Sequence, residues 1–257
     1  MSFSILKEQS LGTLPKPYSV SDLLKLTKNS PSILKIFDTN PNLVALLDSD
    51  EGKIVLKRFG WRNPLHFYTS PFKYSRARMS WETAQTLDSA GITPKPLFVY
   101  TKKKLGFKYQ NFFITKAIEP HVKFRKFLKE EKNIKNISSA TQNLAAAIAK
   151  MHSLGIYHRD LTTGNFLIDE QLNVYIVDLN RARNVVLLTT HQRLKDLRKV
   201  YFEKESISPQ DVLIDCFFQQ YKKESRINID WINQYWKYRK KLNVYRKRKT
   251  KVKTLKR

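Results

Sequence analysis

Asn165 and Asp178 stand at the two ends of what reads as one tight hairpin, and this limits the possible folds of the chain more than any other feature. Residues 165–169 and 172–177 are short runs rich in Phe, Ile, Val and Tyr, joined across a turn at 169–171, the pattern of two paired strands. A hairpin returns the chain to where it began, so Asn165 and Asp178 arrive at the same end. Upstream, residues 138–154 predict a helix. Ala145-Ala146-Ala147-Ile148-Ala149 is strongly helix-forming, Ser138 can cap it and Gly155 can stop it. His152 reads as a packed or solvent-facing residue of that helix. Between helix and hairpin lies the loop His158-Arg159-Asp160-Leu161-Thr162-Thr163-Gly164-Asn165.

The chemistry of three side chains gives this order of elements a meaning. Phosphoryl transfer asks a protein to hold an acceptor hydroxyl in line with a γ-phosphate and to neutralise the charge that develops. Asp160 is the candidate catalytic base for the hydroxyl proton. Asn165 and Asp178 are the candidate metal ligands, one neutral oxygen and one charged, both hard donors of the kind Mg²⁺ prefers. The H-R-D-x-x-x-x-N loop of protein kinases carries a base and a metal ligand at this spacing. A lone H-R-D matches by chance, whereas the helix, loop, hairpin and strand-terminal Asp together form a demanding pattern.

A nucleotide site also needs groups from earlier in the chain. Residues 53–59 alternate apolar and polar, as a half-buried strand does, and place Lys57 after Ile54-Val55-Leu56, as in V-A-I-K. Residues 75–87 predict a helix carrying Glu82, the expected partner of Lys57. Residues 33–37 and 43–47 look like paired strands, joined by Asp38-Thr39-Asn40-Pro41-Asn42 without a glycine. Thr39 and Asn40 are therefore the candidates for phosphate contact. The strand beginning at Asn111 runs into a connector, where backbone atoms of Lys116, Ala117 and Ile118 are the candidates for holding adenine.

A chain of 257 residues has room for one two-lobed domain with a sizeable core. Its formal net charge is +26, and residues 237–257 hold twelve Lys or Arg and no acid. Trp231, Tyr235, Trp236, Tyr238 and Tyr245 lie in or just before this segment. Basic residues interleaved with aromatics suit an anionic membrane surface or a nucleic acid, and charge blocks of this kind also occur as solvated tails. No run of eighteen apolar residues and no signal-peptide core are present. The single Cys216 excludes an internal disulfide.

Together these residues resemble a known family. Lys57-Arg58-Phe59-Gly60-Trp61, the stretch 75–82, residues 87–96 with Gly91 and Pro94, Tyr157-His158-Arg159-Asp160-Leu161, Asn165, residues 177–183, residues 195–201 and a helix around 211–221 are similar to the bacterial lipopolysaccharide core kinases. These are the Kdo- and heptose-kinase group of the protein-kinase-like superfamily. The resemblance spans roughly residues 33–222 by pattern. It implies an α+β, protein-kinase-like bilobal fold with a small N-terminal β-sheet lobe, one helix in that lobe, and a mainly helical C-terminal lobe. The expected division is an extension over 1–30, an N-lobe over 31–117, a C-lobe over 118–236 and a basic tail over 237–257.

The resemblance further implies ATP and Mg²⁺ as cofactors and transfer to a Kdo or heptose hydroxyl of the lipopolysaccharide inner core. It makes the lipid A–core glycolipid the substrate partner. It places the chain in the cytoplasm, peripheral at the inner face of the inner membrane, held by the basic tail, with nucleic acid disfavoured. Two departures stand out. Asp178-Leu179-Asn180 replaces D-F-G, and no A-P-E follows, which leaves little room for a peptide-docking platform. The residues themselves leave open an atypical protein or small-molecule kinase, and a non-catalytic scaffold or nucleic-acid-binding module.

Overall fold

The computed structural model describes residues 6–60, 75–104, 107–202 and 210–254. Trp61, one of the residues carrying the family resemblance, lies outside them. The chain forms two compact units, one from residues 1–119 with 178–181, the other from residues 120–177 with 182–257.

The first unit is built on a six-stranded sheet. Its strands are β1 (Leu6–Gly12), β2 (Ile33–Asp38), β3 (Leu43–Leu47), β4 (Ile54–Arg58), β5 (Pro96–Lys104) and β6 (Phe107–Lys116). Their order is β1-β5-β6-β4-β3-β2, with every neighbouring pair antiparallel. Because side chains alternate across a strand, Ile54 and Leu56 enter the core while Val55 and Lys57 face the other way. Ile54 and Leu56 join Ala45, Leu47, Phe98, Tyr100, Phe112 and Ile114 in one apolar cluster. Helix α1 (Val20–Lys25) adds Leu23, with Leu26 just beyond it. Its first turn is a capping box between Ser19 and Asp22. The segment expected as an extension over residues 1–30 therefore supplies an edge strand and part of the core.

Helix α2 (Arg76–Asp88) covers the other face. Ser75 caps it, its hydroxyl accepting from Arg78 N at 3.2 Å. Lys57 pairs with Phe113 across the sheet, and the Trp81 ring meets Phe113 edge-on at 6.4 Å. The segment 178–181 also belongs to this unit and packs against α2.

The second unit centres on α4 (Ile134–Ser153), which packs against α6 (Gln210–Ser225). The apolar stripe Ile137, Ala140, Leu144, Ile148 and Met151 recurs at helical spacing and is wholly buried. The helix starts four residues earlier than Ser138 suggests, because Asn133 accepts from Lys135 N at 3.0 Å and forms the cap. Gly155 ends it at φ +73°, and a Cβ there would lie 2.1 Å from Val185 O. Helix α3 (Phe124–Glu130) precedes α4.

The hairpin forms as read. Strands β9 (Phe166–Asp169) and β10 (Val174–Ile176) pair, and β7 (His121–Lys123) adds a third strand beside β9. Asp169 holds the turn, its carboxylate accepting from Gln171 N and Asn173 N at 3.0 and 2.8 Å. Strand β8 (Ile156–Tyr157) pairs with β11 (Arg183–Asn184). Helix α5 (Thr190–Leu197) follows a Thr189 capping box. The segment expected as a basic tail is helical through Thr254, as the continuation of α7 (Trp231–Thr254).

Candidate active site

In the first unit, Lys57 and Asp178 form an ion pair although 121 residues separate them. Lys57 is the penultimate residue of β4. Asp178 sits at φ +63°, a left-handed conformation that a short carboxylate side chain tolerates, and enters the 3₁₀ turn Leu179–Arg181. Asn180, in the place of the D-F-G glycine, donates to Asp178 Oδ1 at 2.5 Å. The sequence-predicted metal ligand and nucleotide lysine thus share one spot.

Glu82 is placed differently from the expectation. Its carboxylate takes Arg78 Nε at 2.6 Å, one turn earlier on the same helix, while the ion pair of Lys57 is with Asp178. The 38–42 loop closes on its own side chain. Asp38 Oδ1 accepts from Thr39 N at 2.8 Å and Asn40 N at 3.3 Å, so a carboxylate occupies the N–H groups that were candidates for phosphate. In the connector, Lys116 N donates to Lys95 O and Ala117 N to Lys53 O. The N–H groups of those two residues, expected to hold adenine, are thus already bonded within the chain.

In the second unit the loop from His158 to Asn165 is held from several sides. Asp160 N donates to His158 Nδ1 at 3.2 Å, and the other ring nitrogen, Nε2, meets Val177 O at 3.1 Å. That pairing makes Nδ1 the acceptor and leaves the proton on Nε2. Asn165 donates its amide nitrogen to Asp160 O at 2.8 Å, which turns its amide oxygen into the end left for a cation. Val177 N donates to Asn165 O at 3.0 Å and closes the hairpin one residue before Asp178.

Three further residues hold this loop; Asp196 and Lys199 lie in the 195–201 stretch that carried the resemblance but were given no role there, and Arg125 was not singled out. Asp196, on α5 and fully buried, accepts from His158 N at 2.7 Å and Arg159 N at 2.8 Å. Those bonds hold Arg159 at φ +67°, a conformation that a non-glycine residue keeps only when its surroundings impose it. Lys199, one turn on, places its ammonium 3.3 Å from Asp160 Oδ1 and also binds Arg159 O. Arg125, on α3, reaches Thr163 Oγ1 at 3.4 Å. A signal for Asp196 was available: it falls on the side of α5 that carries Arg193, Leu194 and Leu197, all buried. An acid on a buried helical face needs a reason to be there.

Asp196 has a buried neighbour of its own. The Tyr221 hydroxyl accepts from Arg193 Nη1 at 3.4 Å and lies 2.8 Å from His152 Nδ1. Burial pushes that hydroxyl up to about 12. Donation from Tyr221 to Nδ1 puts the histidine proton on Nε2, which lies 3.6 Å from Asp196 Oδ2 and has no hydrogen-bond partner among the described residues. Desolvation pushes the His152 pKa below its usual 6.5, against the weaker pull of Asp196. The folded protein therefore holds His152 neutral, whereas the unfolded chain takes up a proton near pH 6.5. Stability should be complete above that value and fall as pH drops below it toward the lowered folded value. Thermal melts between about pH 7.5 and 5.5 should show the loss, and His152→Gln should flatten it.

The family model described as "Lipopolysaccharide kinase (Kdo/WaaP) family" matches residues 56–221, well over half of the sequence. The chain belongs to the lipopolysaccharide kinase (Kdo/WaaP) family. That match includes Lys57, Asp160, Asn165, Asp178 and Asp196. Among curated relatives, a 3-deoxy-D-manno-octulosonic acid kinase of Vibrio parahaemolyticus is 29% identical over 119 residues, covering 46% of this chain and 48% of that one. A protein of the same name from Vibrio vulnificus is 26% identical over 144 residues, covering 55% and 59%. The chain thus spans about half the length of the curated relatives it matches. A solved structure titled "WaaP in complex with acyl carrier protein" superposes with a TM-score of 0.60 at 18% identity, covering 91% of this chain and 99% of that one. The fold is the α+β, kinase-like fold expected from the sequence.

Proposed function

We propose that this member of the lipopolysaccharide kinase family transfers the γ-phosphoryl group of ATP to a sugar hydroxyl of the lipopolysaccharide inner core. The observation that carries the reading is the arrangement of the loop from His158 to Asn165. Its backbone is fixed by Asp196, its base is steadied by Lys199, and its asparagine is oriented with the oxygen left for a cation.

The roles follow from the side chains. Asp160 takes the proton of the acceptor hydroxyl. Lys57 offers its ammonium to the nucleotide phosphates in exchange for Asp178. Asn165 and Asp178 are the residues that would hold Mg²⁺. The donor set fits: an amide oxygen and a carboxylate are hard donors, and Mg²⁺ characteristically takes one or two protein oxygens and completes its shell with phosphates and water. When bound, Mg²⁺ supplies charge neutralisation at those phosphates.

The acceptor is a membrane glycolipid, and the basic C-terminal region suits that surface. No described helix is long and apolar enough to cross a membrane. Twelve Lys or Arg between 237 and 257 would each contribute about 1 kcal/mol near anionic headgroups. Use of ATP fits a peripheral position on the cytoplasmic face.

The test is mass spectrometry of lipid A–core from cells with this protein, without it, and with Asp160→Asn. A phosphate-sized difference should separate the first from the other two, since loss of a general base typically lowers the rate by about 10²–10⁴-fold. Full phosphorylation with Asp160→Asn would remove the base assignment. Identical lipid with and without the protein would remove the reading.

A further inference from the structure

Between β11 and α5, in the second unit, the chain displays two apolar side chains to solvent. Val186 is 105% exposed and Leu187 79%, the two most exposed large apolar residues among those described. They do not sit on a frayed loop. Val185 N donates to Gly155 O at 2.8 Å on one side. On the other, Leu188 is buried and its carbonyl accepts from Arg193 Nε at 3.4 Å, and Thr189 caps α5. The pair is the tip of a short arch pinned at both feet. Ordered apolar side chains held in water mark a contact surface, because their ordering cost is already met.

The surroundings of the tip say what it contacts. Leu187 lies four residues before His191, whose Nδ1 is 2.5 Å from Tyr238 Oη on α7. Along α7, Trp231, Tyr235, Arg239 and Leu242 are buried at helical spacing. Trp236, Lys237, Lys240 and Lys241 are exposed around them, and so is Arg183 at the start of the arch. Two aliphatic residues, an exposed indole and a set of lysines form the combination that binds an anionic bilayer. The apolar groups enter the acyl boundary, the indole sits at headgroup level and the lysines pair with lipid charge. A protein partner of ordinary affinity would need a far larger apolar area than two side chains. The tip is also tied to the reaction loop: β11, which leads into it, pairs with β8, and β8 runs directly into His158.

We infer that Val186 and Leu187 form a wedge that inserts into an anionic lipid surface, with the exposed lysines of α7 flanking it. The inference rests on the proposed function only for its purpose, which is to bring the loop bearing Asp160 to an acceptor embedded in the membrane.

The experiment is flotation of the full purified chain with vesicles of phosphatidylcholine containing phosphatidylglycerol, and with pure phosphatidylcholine. Neither contains lipopolysaccharide, so the outcome is independent of kinase activity. The wild type should float with the anionic vesicles. Val186→Asp/Leu187→Asp should bind them at least about 30-fold more weakly, and Lys237→Glu/Lys240→Glu/Lys241→Glu should also weaken binding, as should high salt. Leu187→Trp keeps the tip apolar, so it should keep binding and gain fluorescence quenching from lipids brominated in the acyl chain. Wild-type affinity in the double aspartate variant, absence of extra quenching in Leu187→Trp, or failure of the wild type to float would each overturn the wedge. Failure of lipid A–core phosphorylation alongside normal flotation would instead overturn the proposed reaction and leave the wedge standing.

Discussion

Replacing Asp178 with asparagine should lower phosphotransfer by about 10³-fold or more while the protein stays folded. The folded state loses little, because the Lys57–Asp178 pair is partly open to solvent, with side chains 18% and 33% exposed. Asparagine also keeps an oxygen that can accept from the Lys57 ammonium. The reaction loses far more, because Asp178 is the charged member of the expected metal set and Asn165 is neutral. Equilibrium Mg–ATP binding and single-turnover transfer should be measured together. Weakened metal dependence with an unchanged melting temperature is the expected result. Transfer at the wild-type rate would show that Asp178 holds no metal in the reaction.

Asp196→Ala should affect both stability and rate. The carboxylate receives two backbone N–H groups, from His158 and Arg159, in a place closed to water. Removing it leaves the buried His158 donor and the part-buried Arg159 donor without this acceptor, at up to about 1–3 kcal/mol each. The total of about 2–6 kcal/mol is a large fraction of the stability of an ordinary domain. Arg159 would then relax from its left-handed conformation and carry Asp160 with it, lowering turnover by about 10²-fold. Asp196→Asn keeps one acceptor oxygen and should recover part of both losses. Denaturant unfolding and turnover on the same preparations test this. A variant that is less stable but turns over normally would separate Asp196 from the loop's positioning.

What the sequence made legible was local. The 165–177 hairpin, α2 behind Ser75, and the Lys57 strand each announced themselves by period, by turn chemistry or by capping. The family resemblance then joined them in one fold. Long-range choices were hidden. Lys57 was expected to meet Glu82, and spacing could not say that the sheet and the 3₁₀ turn would bring Asp178 to it. Glu82 also had Arg78 one turn away, and a local pair forms without any tertiary arrangement. Strand β1 carries Glu8, Gln9 and Ser10, a polar run that gains strand structure only by pairing with β5. Asp196 looked like one more charge in Leu194-Lys195-Asp196-Leu197, and its role rests on backbone donors 37 and 38 residues earlier.

The closed pair of Lys57 and Asp178 has a consequence for how ligands enter. A bare cation approaching Asp178 must displace an ammonium, and a bare phosphate approaching Lys57 must displace a carboxylate. Either guest alone leaves one charge of the pair stranded. A cation already bound to a polyphosphate compensates both charges as it separates them. On the proposed function the pair would open to the neutralised complex in preference to its parts, so metal and nucleotide should each tighten the binding of the other.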